Sequence, residues 1–222
     1  MKILFVGNSY TYYNDMPAIF AELARENGHD ISVDSVTKGG RKLYENLVEG
    51  DEYHEKIVSL CKKNQYDVLI LQEQSYFALV DYEKFLEGLQ GLTELVKARR
   101  VILYATWGRK SGCPLLEELG ISSAEMTDRL ADVYGRAAVE LGAEISSVGK
   151  AFLAVTEADP LLDLYMPDLS HPSRTGSALA ALVHYVTVFG EFPKASTSTG
   201  LLSETLDLLL SAIKKTLSKD ML

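Results

Sequence analysis

Basic runs are missing from this chain. Lys and Arg together number 22 against 31 Asp and Glu, for a formal net charge of −9, and no run of Lys or Arg exceeds two residues. A nucleic-acid binder needs a clustered basic face, so a phosphate-backbone partner is excluded. Cysteine is scarce: Cys61 and Cys113 are the two present. Neither belongs to a C-x-x-C pair, which removes the common zinc and redox motifs and fits a reducing compartment. Cys61 lies in an apolar helical stretch and reads as a small packing residue. The four histidines, His29, His54, His171 and His184, form no cluster with ligand spacing, so no metal site is expected. Of these, His29 follows a helix stop and reads as exposed, while His54 and His184 fall inside helical patterns. Long apolar runs are also lacking. Nothing approaches the roughly 18 residues of a membrane span, and the opening stretch Ile3–Val6 is too short for a signal segment. A cytoplasmic protein without a membrane partner is expected.

What is present is alternation. Short apolar runs at Ile3–Val6, Ile31–Val36, Asp67–Leu71, Val101–Ala105 and, more weakly, Glu144–Val148 read as strands. The unbroken apolar character of the third suits burial on both faces. Between and after them, helical patterns run from Pro17 to Asn27, Tyr44 to Lys63, Asp81 to Lys97, Ser122 to Leu141, Ser173 to Phe189 and Leu201 to Ser218. Asn14 or Asp15 would cap the first, with Gly28 as its stop, and Ser122 or Ser123 the fourth. Gly108–Gly120 reads as a loop that could act as a lid, and Asp159–Pro172 as irregular. Alternating units of this kind predict a parallel sheet covered by helices on both faces. With no linker, repeat or low-complexity segment, residues 1–222 are expected to form one domain. Its ligand would bind beyond the carboxyl ends of the strands, where Gly7–Thr11, Lys38–Arg41, Gln72–Tyr76 and Thr106–Gly108 converge.

Two segments carry chemistry. Gly7-Asn8-Ser9-Tyr10-Thr11 follows the first strand, and a serine at such a strand-to-helix turn can present its hydroxyl where helix amides also point. It is neither the G-x-S-x-G elbow nor a P-loop; taken alone it reads equally well as an ordinary capped turn. Asp168-Leu169-Ser170-His171-Pro172 is the second. Pro172 biases His171 out of the helical region, and a buried Asp168 three residues upstream could bond the imidazole, as a general base requires. The alternative is a capping Asp beside a surface His.

Together these segments resemble the SGNH/GDSL hydrolase superfamily. Its Gly-Asp-Ser block is matched by Gly7-Asn8-Ser9, its glycine after the second strand by Gly39-Gly40, and its closing Asp-x-x-His by Asp168 and His171. The Gly-x-Asn-Asp block departs: the chain has Gln72-Glu73-Gln74-Ser75, with Gln74 at the Asn position. The resemblance runs from residue 3 to about residue 189. It implies an α/β fold of three layers, flavodoxin-like, with a five-stranded parallel sheet, and a serine esterase of a divergent branch, with carbohydrate esters as a candidate substrate class. Ser9 would be nucleophile, with His171 and Asp168 completing the triad. The backbone N–H groups of Ser9 and Gly40, with the Gln74 amide, would form the oxyanion hole. No cofactor is implied, and the partner would be a small-molecule ester. Aromatic residues crowd the expected rim, and Tyr10, Tyr76 and Trp107 are the candidates for substrate contact; Trp107, the single tryptophan, could stack on a sugar ring. The rival reading is a non-catalytic flavodoxin-like module that binds a ligand or a protein.

Overall fold

A computed structural model describes residues 1–219. Five strands, β1 (Lys2–Gly7), β2 (Ser32–Thr37), β3 (Val68–Leu71), β4 (Arg100–Tyr104) and β5 (Glu144–Ser146), form one parallel sheet in the order β2-β1-β3-β4-β5. In register, Ile3 pairs with Val33 on one side and with Val68 on the other. All four residues of β3 are fully buried, as an apolar run covered on both faces must be. Alternation along the strands sends Ile3, Phe5, Val68, Ile70, Ile102 and Tyr104 to one face of the sheet. Leu4, Val6, Leu69, Leu71 and Leu103 go to the other. The three-layer α/β/α fold expected from the alternation is the one observed.

The first face is covered by α2 (Met16–Glu26), α8 (Val148–Ala158), α9 (Arg174–Phe189) and α10 (Ser203–Lys219). The second is covered by α3 (Glu52–Lys63), α5 (Tyr82–Val96) and α7 (Ser123–Leu141). Short helices α1 (Ser9–Tyr12), α4 (Phe77–Val80) and α6 (Pro114–Leu119) sit in the loops. Among the described residues, no helix is long and apolar enough to cross a membrane.

Several elements differ from the sequence expectation. The span 44–63 is not one helix. A single tight turn at Leu43–Leu47 is followed by Gly50, with φ of +82°, and Asp51 then caps α3 by accepting from the Tyr53 and His54 amides. Asp15 caps nothing through its side chain and adopts φ of +55°. The 108–120 stretch contains α6, started by Pro114 and stopped by Gly120. Helix α8, which has no counterpart in the expectation, begins two residues after β5. Ser122 does cap α7, accepting from Glu125 N at 3.0 Å. His29 is not freely exposed, since its ring stacks on Phe189 at 3.8 Å between centroids.

The strand order reverses direction at β1, so the carboxyl ends of β1 and β3 flank the switch point where ligands of such folds bind. Gly7, Gln72 and the loop after Thr37 all lie at that edge.

Candidate active site

The turn after β1 is built around a close approach. A Cβ at Gly7 would sit 2.6 Å from Thr11 Oγ1 and 2.7 Å from Gln72 Oε1, so only glycine admits the Gln72 side chain there. Gln72 Oε1 accepts from Asn8 N at 2.8 Å and from Thr11 Oγ1 at 2.9 Å, while its Nε2 donates to Glu73 O. Gln72 is thereby spent on holding the turn. Asn8 caps α1, its Oδ1 accepting from Tyr10 N at 3.2 Å, and its Nδ2 donates to Arg41 O at 3.0 Å. An ionised Asp in that position could only accept; the Arg41 carbonyl needs a donor, which is a physical reason for Asn in Gly-Asn-Ser. The same bond ties the Ser9 turn to the loop holding Gly40. Gly40 is exposed with φ of +70°, a left-handed turn that favours glycine. Ser9 opens α1, so its N–H is among the first-turn amides that have no partner within the helix.

Ser9 is 7% exposed, and its Oγ lies 2.8 Å from His171 Nε2. His171 Nδ1 is 2.5 Å from Asp168 Oδ2. Because a carboxylate only accepts, Nδ1 carries the proton and donates, leaving the Nε2 lone pair to accept from the Ser9 hydroxyl. Asp168 Oδ1 also accepts from Ser170 N at 3.1 Å and His171 N at 3.0 Å. The loop reverses at Leu169, whose φ is +60°, so the backbone amides wrap the carboxylate. Burial acts to raise the Asp168 pKa, but the bonds from the His171 ring and from the two amides outweigh it and hold the carboxyl below its ordinary value. The expectation of a buried Asp168 is corrected: its side chain is 47% exposed, and three hydrogen bonds, not exclusion of water, orient it. Thus Ser9, 162 residues before His171, is brought into one hydrogen-bonded line with His171 and Asp168.

The aromatic candidates are placed differently. Trp107 is fully buried and Tyr10 is 3% exposed, so neither can stack on a substrate ring; both expectations are corrected. They form a column instead. Tyr10 stacks on Trp107 at 4.6 Å and Trp107 on Phe152 at 4.0 Å. Trp107 Nε1 donates to Ser170 O at 3.1 Å, and the Tyr10 hydroxyl bonds Ser170 Oγ at 2.8 Å. The column props the 168–171 loop from behind. Tyr76 is half-buried and lines a cavity of about 450 Å³ with Leu119, Arg129 and Arg136 that does not include Ser9 or His171. The ring that does meet the imidazole is Tyr13, stacked on His171 at 4.4 Å and 15°. Asn14, at φ of +53°, fixes this corner by donating to Pro172 O at 3.1 Å and Ser177 Oγ at 2.9 Å. A further cavity, of about 970 Å³, opens beside β5 between Val139, Ile145, Val186 and Phe192, away from Ser9.

Gln74 stands half-buried just past β3. Its N–H donates to Glu73 Oε1 at 2.5 Å and its carbonyl accepts from Phe77 N at 2.7 Å. Glu73, whose role the sequence gave no reason to suspect, is fully buried and also accepts from Leu43 N at 3.2 Å. Its carboxyl therefore joins the loop after β2 to the loop after β3. Burial pushes its pKa up to about 8, against the bonds from the Gln74 and Leu43 amides. Among the described residues no group of three or more His, Cys, Asp or Glu side chains could hold a metal ion.

No protein-family profile and no curated protein sequence matches the chain. Solved structures do. A protein of Slackia heliotrinireducens described as an SGNH hydrolase is 32% identical over 85% of this chain and 98% of its own, with a TM-score of 0.74. A DUF4886 family protein from Bacteroides uniformis superposes with a TM-score of 0.80 at 15% identity, covering 98% of this chain and 94% of its own. The acetyl xylan esterase AlAXEase superposes with a TM-score of 0.65 at 15% identity, over 85% of this chain and all of its own. The last two likenesses show a shared fold. The first, at its identity and coverage, shows kinship: the chain belongs to the SGNH hydrolases.

Proposed function

We propose that the chain is a serine esterase in which Ser9 is the nucleophile, and that residues 1–222 act as one catalytic domain. The observation that carries this is the continuous line from Asp168 through His171 to the Ser9 hydroxyl, with steps of 2.5 and 2.8 Å. Ser9 Oγ would attack the ester carbonyl as His171 Nε2 takes its proton. The imidazolium formed is stabilised by Asp168. It then protonates the leaving alcohol as the carbonyl re-forms on the acyl-enzyme. Water, deprotonated by the same nitrogen, releases the acid and restores Ser9. The negative oxygen of each tetrahedral intermediate would be met by the backbone N–H groups of Ser9 and Gly40 and by the Gln74 amide. This set is a divergent version of the family pattern, with Asn8 and Gln74 in place of Asp and Asn. The chemistry calls on no metal or organic cofactor.

For the substrate the reading is a small ester, with an acetylated carbohydrate as the first class to test; a structural neighbour, AlAXEase, is an acetyl xylan esterase. The test is steady-state hydrolysis of 4-nitrophenyl acetate and acetylated xylo-oligosaccharides by wild type, Ser9→Ala and His171→Ala. Turnover by wild type that falls by about 10³ or more in both variants supports the assignment. Equal turnover in all three proteins would overturn the roles of Ser9 and His171, and none in a folded wild type across a panel of esters would favour a ligand-binding module.

A further inference from the structure

Arg109 stands beside the Ser9–His171 site and, among the described residues, has no carboxylate partner. Its Nη2 donates to Ser75 Oγ at 2.7 Å, and Ser75 follows Gln74 directly. Its guanidinium carbon lies over the Tyr10 ring, 5.9 Å from the centroid, and that ring meets the His171 ring edge-on at 5.6 Å. The guanidinium and the imidazole thus meet the same Tyr10 ring, the guanidinium on the β3–β4 side of the site.

The side chain is half-buried, and its Nε is buried without an acceptor. Among the described residues it pairs with no carboxylate. Other arginines do: Arg41 with Asp51, Arg99 with Asp67, Arg100 with Glu144 and Arg129 with Glu125. The adjacent Lys110 is paired with Asp163 at 2.8 Å. Beyond the Ser75 hydroxyl and the Tyr10 ring it has no acceptor among the described residues, and a buried guanidinium N–H without one is unfavourable unless something supplies it. Acidic side chains outnumber basic ones in this chain, so their absence here is not for want of carboxylates.

The backbone around Arg109 is held firmly. Gly108 N donates to Thr127 Oγ1 at 2.9 Å, and Gly108 O accepts from the Tyr165 hydroxyl at 3.1 Å. Lys110 N donates to Leu169 O at 2.9 Å, inside the loop that carries Asp168 and His171. Arg109 is fixed to the same frame as the triad, as a positioned recognition group should be.

From this geometry we infer that Arg109 receives an anionic oxygen group of the substrate, a carboxylate being the planar match to its fork of N–H donors. The inference rests on the esterase reading and narrows it to esters that carry a negative charge on the acyl or the alcohol portion.

The test compares paired esters. On the acyl side the pair is mono-4-nitrophenyl glutarate and 4-nitrophenyl valerate. On the alcohol side it is 4-acetoxybenzoate and 4-methylphenyl acetate. The quantity read is the ratio of kcat/KM for the charged ester to that for the neutral one. In at least one pair Arg109→Gln should lower this ratio by tenfold or more, and Arg109→Lys by less, with thermal melts confirming that both variants fold. The pair that responds names the side of the substrate that bears the charge. Calorimetric titration of glutarate or 4-hydroxybenzoate into the inactive Ser9→Ala protein gives a reading independent of turnover. The compound matching the responsive pair should bind, and adding Arg109→Gln should abolish the binding. A ratio unchanged in both pairs, a loss shared equally by charged and neutral esters, or anion binding indifferent to Arg109→Gln overturns the inference. Arg109-dependent anion binding in a protein that turns over no ester would sustain it while removing the esterase reading.

Discussion

Gln74 stands where the superfamily resemblance expects an Asn, and a single substitution there reads the proposed chemistry most cleanly. If its amide donates to the developing oxyanion, the bond is stronger in the transition state than in the ground state, so its removal falls on kcat and spares KM. Gln74→Ala is expected to lower kcat by roughly 10²–10³, with Gln74→Asn recovering part of the loss; steady-state kinetics on any accepted ester checks this. An unchanged kcat would place the donor elsewhere. Gln72 is a poor substitute, because both ends of its amide are already bonded, Oε1 in the β1 turn and Nε2 to the Glu73 carbonyl. Ser9, Asp168 and His171 were legible in the sequence, because the first follows a buried strand and the other two lie on one short loop before a proline. The work done by Asn8, Glu73 and Arg109 was not legible. Each acts through a contact with a segment distant in the chain, such as Asn8 with Arg41 or Arg109 with Ser75, and local pattern carries no trace of such pairings.

Among the elements, the Tyr10–Trp107–Phe152 column links α1, the end of β4 and α8 beneath the 168–171 loop. Strand-end aromatics suggested a substrate rim, but nothing in a sequence distinguishes a ring that lines a cleft from one that props the loop behind it. The structure decides by burial. Trp107→Ala should destabilise the fold by about 3–5 kcal/mol, the range for truncating a large buried aromatic, read from urea unfolding. Trp107→Phe keeps one face of the stack but loses the Nε1 bond to Ser170 O. It should therefore lower kcat in excess of any effect on stability. A variant with full activity and a wild-type melt would mean that the column does not support the loop. Strands and long helices were read correctly where apolar periodicity was strong. The break at Gly50 and the short α6 were missed because positive-φ turns and a proline start, not periodicity, define them; helix α8, which has neither a side-chain cap nor a positive-φ stop, was missed as well.

Across the protein as a whole, two buried groups contribute opposing slopes to the pH dependence of stability. Glu73 is raised from an ordinary value of 4.5 to about 8, chiefly by burial. The folded state therefore keeps a proton that the unfolded chain releases, and this contribution is present below pH 4.5 and lost as pH climbs to about 8. His184 is fully buried, its Nδ1 bonded to Ser146 Oγ at 2.8 Å, and burial lowers it from 6.5 to about 3. Its contribution is present above pH 6.5 and lost as pH falls toward 3. Between pH 4.5 and 6.5 the two slopes oppose each other, so the fall due to Glu73 should emerge between about pH 6.5 and 8. Thermal melts of wild type and Glu73→Gln across pH 5 to 9 check this. The wild type should lose stability relative to the variant as pH rises, and a constant difference would show that Glu73 does not titrate in that window.

The central claim is that Ser9 is the nucleophile, activated by His171. A fluorophosphonate forms a stable covalent adduct with an activated serine, and peptide mass spectrometry locates it. Stoichiometric labelling is expected at Ser9 in the wild type, none in Ser9→Ala, and labelling slowed by orders of magnitude in His171→Ala. Labelling at another serine, or an ester-hydrolysing wild type that takes up no label at Ser9, would contradict that claim.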